Sequence, residues 1–184
     1  MNTQITLSDI PTLRDRARKH IEDGAVTPGY AADRATVIQH LNTALATELV
    51  CVLRYRRHHF MAKGLDSKST AEEFLTHSAE EQEHADQLAA RIVQLGGEPD
   101  FSPDTLSARS HAEYVTGKTL TEMIREDLIA ERIAIDSYRE LIQYLAHDDP
   151  TTSHLLRSIL ATEEEHAEEL SDLLVNQPVR AAHS

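Results

Sequence analysis

The sequence predicts an all-α protein: four long helices arranged as two helical hairpins joined by a long crossover, with one short helix ahead of them. Three observations carry this. Ala, Leu, Glu and Arg are abundant among the 184 residues, aromatics make up only 4% and Trp is absent, a composition that favours helix. The six Pro and six Gly sit in a few places and leave long uninterrupted runs between them. Within those runs apolar residues recur in steps of three and four, the period of a helix with one buried stripe. A chain of this length forms one domain able to bury a real core.

Taken in order, Ser8 can cap a short helix over about Asp9 to Asp23, with Pro11 tolerated in its first turn. Gly24 and the Thr-Pro-Gly of 27–29 end it. The first long helix is expected from about Ala31 to Lys63, stopping at Gly64, with a stripe of Leu41, Leu45, Glu48, Val52, Tyr55 and His59. Ser69 with Glu72 forms a capping box for the second, which runs to Leu95 and ends at Gly96-Gly97. Its stripe reads Phe74, His77, Glu81, His84, Leu88, Ile92 and Leu95. Residues 97–118, with Pro99, Pro103 and Gly117, are long enough at ~3.3 Å each to travel the length of a bundle. A loop of that length is explained if the third helix runs parallel to the second. Thr119 and Glu122 form a further capping box, opening a helix to near His147 with Ile124, Leu128, Glu131, Ile135, Tyr138, Ile142 and Leu145 inward. Asp149-Pro150 opens the fourth, whose stripe is Leu156, Ile159, Glu163, His166, Leu170 and Leu173 and which Pro178 closes. The expected division is residues 1–30 as an N-terminal extension, 31–176 as the bundle and 177–184 as a tail.

Charge and cysteine content narrow the function classes. A net charge of −13 disfavours nucleic acid as a partner and favours cations. The basic stretch Arg14, Arg16, Arg18 and Lys19 is interrupted by Asp15 and reads as a solvated helix face; a DNA-binding arm is the disfavoured alternative. The single Cys51 rules out an internal disulfide and any four-thiolate metal module, and reads as a small core residue rather than a reactive thiol. No apolar run reaches ~18 residues and the N-terminus lacks the pattern of a signal peptide, so a soluble cytoplasmic protein without a membrane span is expected.

The chemistry lies in the stripes. Glu81 and His84 stand three residues apart on one helix face, and the spacing returns 82 residues later in Glu163 and His166. The first and third long helices each place a Glu in the stripe with a Tyr seven residues on: Glu48 with Tyr55, Glu131 with Tyr138. Glu48 and Glu81 are 33 residues apart, Glu131 and Glu163 are 32, so the chain is two similar hairpins. Four carboxylates meeting in an apolar centre would repel, and burying them unpaired is costly. Two divalent ions balance the charge, and two neutral imidazoles complete the ligands. Oxygen-rich ligation with one nitrogen per ion suits iron or manganese better than zinc. Without metal the glutamates are expected to share protons and titrate together. Tyr55 and Tyr138 read as core residues that hydrogen-bond the ligand carboxylates. Glu80 can also reach His84, but position 162 is Thr, so the two-fold pattern selects Glu81 and Glu163. His58, His59 and His77 read as packed or exposed histidines, with auxiliary iron sites as the alternative.

This arrangement, over residues 31 to 176, resembles the ferritin-like di-iron carboxylate proteins. Within that family the site is most similar to the bacterioferritin type, which implies two Fe ions, with Mn possible, bridged by Glu81 and Glu163. Glu48 and Glu131 are then terminal, and His84 and His166 take one ion each. Bacterioferritins have a haem-ligating Met after the second-helix bridging Glu; here Gln82 stands there, so haem is not expected. Position 134 is Ala where rubrerythrins have a further Glu, and only 18 residues follow His166, too few for a fifth helix. What remains resembles the Dps-like mini-ferritins, some of which carry a cysteine pair near the site where this chain has only Cys51. The resemblance implies a ferroxidase that oxidises Fe(II) with O2 or H2O2, stores the product in a homo-oligomeric shell of 12 subunits and so limits oxidative stress. A non-storage di-metal peroxidase of rubrerythrin type, or a manganese catalase-like enzyme, would use the same ligands.

Overall fold

The computed structural model describes residues 7–64 and 67–175. Six α-helices order them: α1 (Ile10–Arg16), α2 (Arg34–Met61), α3 (Ser67–Gln94), α4 (Leu106–Arg109), α5 (Leu120–Leu145) and α6 (Pro150–Val175). There is no strand among the described residues. The four long helices are the expected bundle. Asp33 caps α2 by accepting from the Thr36 amide at 2.8 Å. The Thr119–Glu122 capping box opens α5, and Asp149 accepts from the Thr152 amide at 2.9 Å at the head of α6. Gly96, at φ +80°, closes α3 while the Gly97 amide returns to the Ile92 carbonyl. The fourth helix reaches Val175; its expected closure at Pro178 and the tail lie outside the described residues.

Cross-helix bonds set the directions. Tyr138 meets Glu48, Tyr55 meets Glu131 and His58 meets Asp127, so α2 and α5 run antiparallel. The Ser78 hydroxyl donates to the Val52 carbonyl, and His59 meets the Ala71 carbonyl, so α2 and α3 also run antiparallel. It follows that α3 and α5 are parallel, as the crossover requires. That connection is laid along α2: Asn42 donates to the Glu98 carbonyl, the His111 amide to Thr47, and Arg54 to the Glu113 carbonyl, while His58 faces the Thr116 carbonyl. Backbone groups with no ladder of their own find partners in polar side chains of one helix. The short α4 within the crossover has no counterpart in the sequence reading.

Several boundaries differ from expectation. Asp9, not Ser8, caps α1, accepting from the Thr12 amide at 2.7 Å, and the helix stops at Arg16 instead of continuing to Asp23. None of its residues is buried, so no packed face sustains it, and only a 3-10 turn over Ile21–Asp23 follows. Ser69 does not cap α3, because the helix already begins at Ser67, whose hydroxyl donates to the Gly64 carbonyl. Two stripe positions shift together: His58 is buried in place of the half-buried His59, and Asp127 in place of Leu128. A straight helix drifts against a strict seven-residue repeat, so the inward position moves by one residue toward a helix end. The eighteen-residue stretch in α2 that is apolar enough to cross a membrane is the hydropathy of a core helix; over half of it is buried, around Glu48.

The core has two apolar clusters. One gathers Leu41, Leu45, Leu88, Ile92, Ile142, Leu145, Leu156 and Ile159. The other holds Cys51, Tyr55, Phe74, Met123, Ile124 and Leu170. Between them lie Glu48 on α2, Glu81 and His84 on α3, Glu131 on α5 and Glu163 and His166 on α6, so a polar layer is enclosed from both ends.

Candidate metal centre

Each long helix brings its ligand-type residue to the bundle axis because that residue occupies a stripe position that would otherwise carry Leu or Ile. Glu48, Glu81, His84, Glu131, Glu163 and His166 are all brought together, and none is more than 5% exposed. They form two quartets whose nearest donor atoms lie within 4.8 Å of one another: Glu48, Glu81, His84 and Glu163, and Glu81, Glu131, Glu163 and His166. Glu81 and Glu163 belong to both. His84 Nδ1 stands 3.0 Å from Glu163 Oε1, 3.2 Å from Glu81 Oε2 and 3.6 Å from Glu48 Oε2. His166 Nδ1 stands 3.7 Å from both Glu81 Oε1 and Glu163 Oε2, and 4.0 Å from Glu131 Oε2.

Buried oxygens and nitrogens ordinarily find hydrogen-bond partners. Here Glu81 Oε1, Glu131 Oε2, Glu163 Oε2 and His166 Nδ1 are buried without one, all facing the same small volume. This donor set fits a pair of divalent cations. In their absence protons do the compensating. Burial, reinforced by the Glu81 charge, raises the Glu48 carboxyl to about 8. Burial and the Glu163 charge lift Glu131 well above the carboxylate range, and burial with the Glu81 and Glu48 charges raises Glu163. For His166 burial works against charge, but the facing Glu163, Glu81 and Glu131 carboxylates prevail and raise it to about 12; the carboxylates around His84 raise it likewise. The centre is thus a group of interacting titratable sites.

The tyrosines exchange partners between hairpins. Tyr55 on α2 donates to Glu131 on α5, and Tyr138 on α5 donates to Glu48 on α2. Burial, with the facing carboxylates, keeps both phenols far above their usual range, so each stays a donor. Glu80 does not turn to His84. It crosses to α6 and takes His166 Nε2 at 2.9 Å, leaving Nδ1 for the centre, the arrangement that orients metal-binding imidazoles. Spacing along one helix could not reveal that bond.

A second buried polar group also escaped the sequence reading. Asp127 accepts from Arg54 Nε at 2.7 Å and lies 2.7 Å from His58 Nδ1, one turn beyond Tyr55 and Glu131. Arg54 further reaches Cys51 Sγ at 3.6 Å, and burial pushes that thiol well up, which keeps it protonated and unreactive. His58 is therefore held by Asp127, the partner of the buried Arg54, and His59 by the Ala71 carbonyl.

An antiparallel four-helix bundle with a long crossover and two Glu-x-x-His helices around a buried carboxylate cluster defines a ferritin-like di-metal protein. The family model for the ferritin-like domain matches residues 38–178, and the chain belongs to that family. It is 29% identical over 140 residues to a bacterioferritin from Desulfovibrio desulfuricans, covering 75% of this chain and 74% of that one. It is 31% identical over 143 residues to a nutrient stress-induced DNA-binding protein from Nostoc sp., covering 76% and 78%. Among solved structures it superposes with a TM-score of 0.77 on the dodecameric, bacterioferritin-related thioferritin from Bacteroides fragilis, at 29% identity over 79% of this chain and 88% of that one.

Proposed function

We propose that this protein is a ferroxidase and iron-storing mini-ferritin. Fe(II) is its substrate: one ion is held by Glu48, His84 and the shared Glu81 and Glu163, the second by Glu131, His166 and the same shared pair. Two Fe(II) release two electrons, which hydrogen peroxide accepts with two protons to give two waters; dioxygen is the alternative oxidant. Removing Fe(II) and peroxide together limits hydroxyl-radical formation. Tyr55 and Tyr138 orient the terminal carboxylates, and Glu80 orients His166. The observation that carries this reading is the pair of quartets sharing Glu81 and Glu163, which can keep two ions close enough to react as a unit. Storage requires a shell, and a 12-subunit assembly is proposed because the Bacteroides fragilis relative is dodecameric. The test is Fe(III) formation after oxidant is added to Fe(II)-loaded protein, with the assembly mass measured by light scattering. Glu81→Gln and Glu163→Gln should abolish rapid oxidation and leave the assembly intact. Wild-type rates in these variants would refute the site, and a monomeric mass would refute storage.

A further inference from the structure

His77 belongs to neither quartet, although it is only 1% exposed. Its ring stacks on His166, centroids 4.0 Å apart and planes 21° from parallel. Its Nε2 is directed at two carboxylates, Glu169 Oε2 at 2.9 Å and Glu73 Oε1 at 3.5 Å. One donor atom from each of the three lies within 4.8 Å of the others. Glu73 and His77 are one turn apart on α3, and Glu169 follows His166 by three residues on α6, so the cluster extends the line of the central site by about one helical turn.

The cluster lacks a counter-charge. His77 is the sole ion-pair partner of Glu73 and of Glu169 among the described residues. No lysine or arginine is in ion-pair contact with either carboxylate among the described residues. Burial and the facing Glu169 raise Glu73, as expected of two carboxylates that crowd each other. His77 Nε2 meets Glu169, while Nδ1 across the ring is buried with no hydrogen-bond partner, so the imidazole is only half satisfied.

We propose that Glu73, His77 and Glu169 form a third divalent-cation site, which holds Fe(II) between solvent and the central pair. One nitrogen and two carboxylates make a dianionic ligand set suited to Fe(II) or Mn(II). His77 is buried, but the side chains of Glu73 and Glu169 are 37% and 44% exposed, so the site has an open side where water completes the coordination. That openness makes binding exchangeable, as a staging position requires. The staging role rests on the ferroxidase reading above; the ligand set does not.

Mn(II), which is stable in air, is the probe. Crystals of the wild-type protein soaked in Mn(II) should show an anomalous peak between Glu73, His77 and Glu169 besides the two central ones. The double variant Glu73→Gln, Glu169→Gln alters two partly exposed side chains without changing their shape. It should lose that peak, bind one Mn(II) fewer per subunit in solution and keep the central pair. Glu163→Gln should do the reverse, weakening the central pair and keeping the third ion. Absence of a peak at His77 while the central pair is filled, or unchanged stoichiometry in the double variant, would overturn the proposal. A filled third site beside an empty centre would instead overturn the ferroxidase reading alone.

Discussion

Tyr55 donates its phenolic proton to Glu131 on the opposite hairpin, and Tyr138 returns the same bond to Glu48. Each tyrosine thereby sets the carboxylate that belongs to only one quartet, while the two shared carboxylates are left free of such bonds. Tyr55→Phe is expected to weaken the second quartet's ion selectively, by roughly 10- to 100-fold, the usual effect of removing a group that orients a ligand. Tyr138→Phe should do the same to the first. Mn(II) titration of both variants checks this; equal loss at both positions in each would show that the tyrosines do not act on separate ions.

The raised carboxyls make the metal-free centre pH-sensitive in a defined direction. Glu48 moves from an ordinary value of 4.5 to about 8, so between those limits the folded state binds more protons than the unfolded state and stability falls as pH rises. His166 moves from 6.5 to about 12; its contribution is complete below 6.5 and is lost on the way to 12. Both run the same way. Divalent ions displace these protons, so the gain in Tm on adding Mn(II) should grow from about pH 5 to about pH 8. Thermal melts with and without Mn(II) test it, and Glu48→Gln should flatten the metal-free slope. A gain that shrinks with pH would contradict the protonation described for the centre.

Asp127 is the anion between Arg54 and His58. Asp127→Asn should cost about 3–5 kcal/mol in denaturant unfolding, because it leaves a buried guanidinium without its counter-charge. Arg54 and His58 also hold carbonyls of the crossover, so amides near Glu113 and Thr116 should exchange faster with solvent in this variant. Unchanged stability would show that Arg54 is compensated elsewhere.

Asp149 joins three parts of the chain at the far end of the bundle. It caps α6, binds Arg91 of α3 through both oxygens at 2.9 and 3.1 Å, and accepts from Tyr30 at 2.8 Å. Tyr30→Phe removes one bond and should cost about 1 kcal/mol. Asp149→Ala removes the cap and strands Arg91, and should cost several-fold more, about 3–5 kcal/mol. Unfolding curves for the two variants decide whether the cost follows the buried charge or merely the number of bonds.

Much of the fold was legible because helix signals are local. Thr119 with Glu122 and Asp149 with Pro150 mark helix starts through side chains within one turn of the backbone they cap. The same locality explains where the reading failed. Ser69 next to Glu72 has the spelling of a capping box, yet the chain had already turned at Gly64 and begun the helix at Ser67. His59 and Leu128 follow the seven-residue repeat, but the helices keep their own period and bury His58 and Asp127, which then pair with each other.

By itself the sequence determined four amphipathic helices, their order, the long crossover and six ligand-type residues phased to the inner faces. Those follow from periodicity, because residues three and four apart on a helix share a face whatever the helix packs against. Only the tertiary structure decided which side chains meet across helices: Glu80 with His166, Tyr55 with Glu131, Arg54 with Asp127, and His77 with Glu169. Such contacts depend on the axial register and rotation of one helix against another, which the packing of the two apolar clusters sets and which no spacing along a single helix encodes.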